Sequence, residues 1–122
     1  DVDVMIKVNT GPEVITGSTR MKAGTATKMV LNMISTATMI QLGKVYGNLM
    51  VDLMAINDKL VDRGLRIIQQ ITGVDYETAK SKLIEADRSA KTAIVMIKQS
   101  ISKNDAIKLL DNQNGFLRKI IE

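Results

Sequence analysis

The stretch GPEVITGSTRMKAG, residues 11–24, marks the point where the chain changes its rhythm. Ahead of it, Val2, Val4, Met5, Ile6 and Val8 form a short apolar run rich in β-branched residues. That run predicts a strand buried on both faces, as in a parallel sheet. Gly11, Pro12 and Gly17 predict a loop over residues 9–17. Beyond the stretch, Ala26, Val30, Met33, Ala37 and Ile40 follow helical spacing, and Gly43 is placed to stop the helix. Met29, Leu31, Ile34, Met39 and Leu42 carry apolar groups onto the other faces. A helix apolar nearly all round expects cover on several sides, from further protein, a second subunit or both.

Residues 44–55 leave strand, extended linker and helix open. After them the helical signals are regular. Asn57 predicts an N-cap, with Leu60, Val61, Leu65, Ile68 and Ile71 inward and Gly73 as the stop. Asp75 predicts the cap of a shorter helix with Tyr76, Ala79 and Leu83 inward. Ser89 caps the next, with Ala93, Ile94, Ile97 and Ile101 inward. Ser102 caps another, where Asp105 makes a capping box with a shorter acid and Ala106, Leu109 and Leu110 face the core. Asn114 is read as the cap of a last turn carrying Phe116, Leu117, Ile120 and Ile121. The expected fold is mainly α, a compact C-terminal bundle behind a strand, loop and long helix.

Composition narrows the chemistry. The 122 residues are 45% apolar but only 2% aromatic, so the core is aliphatic, with eight Met among its fillers. Cys and His are absent. Disulfides, thiolate nucleophiles, zinc clusters and the commonest general base go with them. No apolar run reaches the ~20 residues of a membrane helix, and no membrane partner is expected. The lack of Cys fits a cytoplasmic setting. The chain opens on DVDV without an initiator Met, as a piece of a longer protein would.

The net charge is +4. No acid stands between Val14 and Val51, whereas Arg20, Lys22, Lys28 and Lys44 do. A local positive field beside a glycine-bearing turn suits a small anion. Nucleic acid is not expected as a partner: no basic block and almost no aromatic side chain is available for it.

The anion has candidate hosts. Gly17 permits a bend, Ser18 and Thr19 offer hydroxyls and possible caps, and the first helical turn presents free N–H groups. Arg20 adds a planar fork and Lys22 a second cation. Five residues separate Gly11 from Gly17 and Ser18 replaces the lysine of a Walker A loop, so the stretch is not one. The competing reading is an ordinary helix cap with solvated basic neighbours. Glu13 is the one carboxylate of the stretch, read as a hydrogen-bond acceptor that steadies the loop in preference to a catalytic group.

The run GPEVITGSTRMKAGTATKMVLNMISTATMIQLGKVYGNLMVDL, continued by NDKL and the closing NGFLRKIIE, resembles the N-acetylmuramic acid 6-phosphate etherases and, more distantly, the glucokinase regulatory proteins. The resemblance implies that residues 1–56 are the last strand, signature loop and long helix of a sugar isomerase (SIS) domain, a doubly wound α/β fold. Residues 57–122 would be a small helical C-terminal domain. It implies a homodimeric carbon–oxygen lyase that cleaves the D-lactyl ether of N-acetylmuramic acid 6-phosphate. The products are N-acetylglucosamine 6-phosphate and D-lactate, in cell-wall sugar recycling, by elimination and water addition, with no metal or organic cofactor. The acid/base glutamates would lie upstream, leaving no catalytic residue here and this chain inactive alone. Glu13, Ser18, Thr19, Arg20 and Lys22 would serve phosphosugar binding. The alternative is a non-enzymatic phosphosugar sensor of the regulator type, and a third class is an interaction module formed by the bundle.

Overall fold

The computed structural model covers residues 1–122. Its elements run α1 (Lys22–Gln41), β1 (Val45–Tyr46), β2 (Leu49–Met50), α2 (Asp58–Thr72), α3 (Tyr76–Glu85), α4 (Ala90–Gln99), α5 (Lys103–Asn112) and α6 (Arg118–Ile121). The mainly helical expectation holds. Packing divides the chain into two compact units, residues 1–38 and 39–122.

In the first unit the expected strand does not form. Residues 2–8 join no ladder, and Val2, Val4, Met5, Ile6 and Val8 are all exposed. A strand is held by hydrogen bonds to a neighbour, and the one sheet of the chain is a two-stranded hairpin elsewhere. The long helix does form, and none of its residues is buried. It ends where the sequence places the stop. Gly43 adopts φ 67°, donates its N–H to Ile40 O at 3.1 Å, and Lys44 N–H reaches Met39 O at 3.1 Å. These are the two bonds of a Schellman closure, which satisfies carbonyls the helix would otherwise leave free.

Residues 44–55, open in the sequence, resolve into a hairpin and an extended run. β1 and β2 pair antiparallel with Val45 opposite Met50 and Tyr46 opposite Leu49. Gly47, at φ 58°, takes the first central position of the two-residue turn. Then Val51, Leu53 and Ala55 turn inward while Met54 faces out, the period-two pattern of a strand. Ala55 N–H bonds Arg88 O and Ala90 N–H bonds Leu53 O, so this run is stitched to the start of α4. Packing therefore groups residues 39–56 with the bundle.

The bundle grows from local signals. Asn57 Oδ1 accepts from Leu60 N–H at 2.9 Å, and Gly73 closes α2 in the left-handed region at φ 79°. Asp75 caps α3 on Thr78 N–H, and Ser89 caps α4 on Thr92 N–H. Ser102 caps α5, accepting from Asp105 N–H at 3.2 Å and donating to Asp105 Oδ2 at 2.7 Å. The shorter acid thus closes on the serine hydroxyl, where a full capping box reaches the backbone N–H. α4 is the axis: residues 90–96 are all buried, and α2, α3, α5 and α6 all pack on it.

Two details depart from expectation. Tyr76 is 48% exposed. It opens α3, and side chains tilt toward a helix N-terminus, so a first-turn residue points past the end of the packed face. Asn114 caps nothing that follows. It stands at φ 51° as the left-handed residue closing α5, with its N–H on Asp111 O and Gly115 N–H on Leu110 O.

A buried lysine ties this unit together. Lys91, 7% exposed, donates to Gly43 O at 2.9 Å and Gly115 O at 3.1 Å, and pairs with Asp52 Oδ1 at 3.1 Å. Lys44 pairs with the other oxygen of Asp52. All three ammonium donors of Lys91 are engaged, as burial of a charge requires.

Candidate functional site

The signature loop is folded on itself. Asn9 Oδ1 accepts from Gly11 N–H at 3.2 Å, starting the turn with Gly11 at φ 67°. Ser18 N–H bonds Ile15 O at 3.0 Å with Gly17 at φ 86° between them. A positive φ at the third residue is the demand of a type II turn, which glycine meets without strain. Gly24 N–H bonds Thr19 O at 2.9 Å, and α1 starts at Lys22.

Glu13 lies at the head of that helix. Its Oε1 accepts from Ala23 N–H at 3.0 Å and its Oε2 from Lys22 N–H at 3.1 Å. Two first-turn N–H groups, with the positive end of the helix dipole behind them, thus meet an internal carboxylate. The bonds from Ala23 and Lys22, in that order, hold the Glu13 carboxyl below its ordinary range. Lys22 completes the link from its side, with Nζ donating to Pro12 O at 2.8 Å.

The expected capping by Ser18 or Thr19 is therefore corrected. Both precede the helix by too many residues for their hydroxyls to serve its first turn. Ser18 is half-buried and joins Arg20 in lining an open surface groove of about 320 Å³ together with the exposed Val14, Ile15 and Met21. Thr19 is exposed and contributes its carbonyl to Gly24. Arg20 is exposed and joins none of the ion pairs of the chain. Of the five residues singled out in the sequence, Ser18 and Arg20 share the groove, while Glu13 and Lys22 join the two ends of the loop that carries it. No group of three metal-ligating side chains gathers anywhere. The Lys91–Asp52–Lys44 node was not read from the sequence. Its one local signal is a lysine inside the otherwise apolar and small run AKTAIVMI.

No family model matches the chain. Among curated proteins it is 60% identical over 117 residues to the N-acetylmuramic acid 6-phosphate etherase of Oceanobacillus iheyensis, covering 96% of this chain and 40% of that protein. It is 57% identical over 122 residues to the protein of the same name from Bacillus subtilis, covering 100% of this chain and 40% of that one. The chain is a relative of the N-acetylmuramic acid 6-phosphate etherases. The protein of that name from Mycolicibacterium smegmatis matches at 57% identity over 119 residues, 98% of this chain and 40% of that protein. The chain spans about 40% of the length of these etherases. The match runs through the loop, α1, the hairpin and the bundle alike.

Proposed function

We propose that this chain is part of an N-acetylmuramic acid 6-phosphate etherase, a carbon–oxygen lyase that releases D-lactate and N-acetylglucosamine 6-phosphate in cell-wall sugar recycling. The observation that carries the reading is identity of 52–60% to proteins of that name over nearly every residue of the chain. The loop supports it. Arg20 and Ser18 line one groove in an acid-free stretch, which suits the phosphate of a sugar phosphate. The relatives favour the etherase over the regulator-type sensor. In this proposal residues 1–56 close an SIS domain, residues 57–122 form the helical C-terminal domain, and the acid/base carboxylates lie outside this chain. The setting is cytoplasmic; no helix is long and apolar enough to cross a membrane.

D-lactate release from N-acetylmuramic acid 6-phosphate by the full-length protein tests the assignment. Within that assay, Arg20→Ala is expected to raise KM about tenfold, equivalent to about 1.4 kcal/mol of binding. Absence of D-lactate would remove the etherase reading, and an unchanged KM would remove Arg20 from the site.

A homodimer belongs to the same proposal. Met29, Leu31, Met33 and Ile34 of α1 are 49–60% exposed, a larger apolar surface than an isolated helix keeps in water. Light scattering of the full-length protein is expected to give twice the monomer mass. A monomer at all concentrations would contradict the dimer.

A further inference from the structure

We propose that Glu13 is a positioning residue: its carboxylate, together with the Lys22 ammonium, locks the two ends of the signature loop so that Arg20 and Ser18 are held ready for an anionic ligand. The role toward the ligand rests on the phosphosugar reading above; the lock itself does not.

The lock is reciprocal. Glu13 reaches forward nine and ten residues to the backbone of Lys22 and Ala23, and Lys22 reaches back ten residues to the carbonyl of Pro12. Three hydrogen bonds, each with one charged partner, therefore pin residues 12–13 to residues 22–23, and such bonds are about twice as strong as neutral ones. Between the pins, the Ser18–Ile15 turn fixes the middle of the loop. The groove bounded by Val14, Ile15, Ser18, Arg20 and Met21 lies wholly within the closed segment. Opening either pin frees the segment that carries Arg20.

The lock also changes which groups receive the ligand. Lys22 and Ala23 N–H groups are occupied by Glu13, and a phosphate on them would face the Glu13 carboxylate at hydrogen-bond range. The ligand is left to the guanidinium of Arg20 and the hydroxyl of Ser18. Glu13 accordingly acts on binding through Arg20 and takes no part in proton transfer.

Two measurements test this. In amide hydrogen exchange on the full-length protein, Glu13→Ala should speed exchange of the Lys22, Ala23 and Ser18 amides about tenfold or more, with the α4 amides unchanged. An unchanged Ser18 amide would overturn the lock, whatever the loop binds. In the full-length protein assayed by D-lactate release, Glu13→Ala should raise KM about five- to tenfold with kcat within about threefold of wild type. Combined with Arg20→Ala it should add less than about twofold to the KM of the single arginine variant. Multiplying effects, or a kcat collapse at constant KM, would overturn the positioning role. If Glu13→Ala fails to fold, Glu13→Gln keeps the size of the side chain and removes its charge, and should give the same pattern at smaller amplitude. A wild-type protein that releases no D-lactate would sink the etherase reading and leave the exchange result to decide the lock.

Discussion

Lys91→Met is expected to lower the unfolding free energy of the 122-residue chain by about 2–3 kcal/mol, because it leaves two backbone carbonyls without their buried donor and takes one of two cations from half-buried Asp52. Methionine keeps the apolar stem and most of the volume, so little of the loss comes from a cavity. The loss comes from polar partners. Gly43 O and Gly115 O each give up the ammonium that satisfies them, and Asp52 keeps only Lys44. Urea unfolding followed by circular dichroism measures the effect. A midpoint within error of wild type would mean that water takes over the work of the ammonium.

The same variant has a pH signature carried by Asp52. Burial alone pushes its carboxyl up, but hydrogen bonds from Lys44 and Lys91, with their charges, outweigh burial and hold it below its ordinary value. A carboxyl lowered on folding adds stability above its unfolded value, near pH ~4, and that stability is lost as pH falls through the lowered folded value. Wild type should therefore weaken on acidification below about pH 4, and Lys91→Met, with one partner gone, should show a shallower fall.

Gly43→Ala is expected to destabilise by about 2–5 kcal/mol, adding the left-handed penalty of about 1–2 kcal/mol to an overpacking cost of about 1–3 kcal/mol. A Cβ at this position would meet Gly115 O at 3.0 Å, Gly115 C at 3.1 Å and Phe116 Cδ2 at 3.2 Å. Two of these atoms are backbone and cannot swing aside, and Gly115 O is also an acceptor of Lys91. Gly47→Ala is the control. Gly47 has φ 58° but nothing within 4 Å of a Cβ, so it carries the conformational penalty alone. Equal thermal shifts for the two variants would show that the close approach at Gly43 relaxes freely.

The helices were legible where the signal is local. Asn57, Asp75, Ser89 and Ser102 each cap within three residues of their own position, so sequence spacing suffices to find them. The stop at Gly43 and the inward faces of Ala79, Leu83 and Ile94 followed from glycine and period alone. What depends on distant partners was not legible. Residues 2–8 have strand composition but no neighbour to pair with in this chain. Asn114 has the composition of a cap, yet the end of α5 claims it first. In the candidate site, Ser18 and Arg20 were found together because they are neighbours in sequence. The Glu13 lock spans nine and ten residues and becomes visible only once the loop has turned back. Lys91 reads as one more surface lysine until Gly43 and Gly115 are brought to it.

That node bears on the lifetime of the folded chain. The acceptors at Gly43 and Gly115 are 48 and 24 residues from Lys91 in sequence, whereas each helix of the bundle forms from contacts within a few residues. Closing loops of that length draws on chain entropy that is recovered only after α4 and α5 are standing. The node is therefore expected to form late, and stopped-flow kinetics of Lys91→Met should show faster unfolding with the folding rate nearly unchanged. Interactions made late leave the rate of folding nearly untouched and slow the reverse step instead. Lys91 is in this sense a brake on unfolding, setting how long the end of α1 and the C-terminal turn stay joined once they have met.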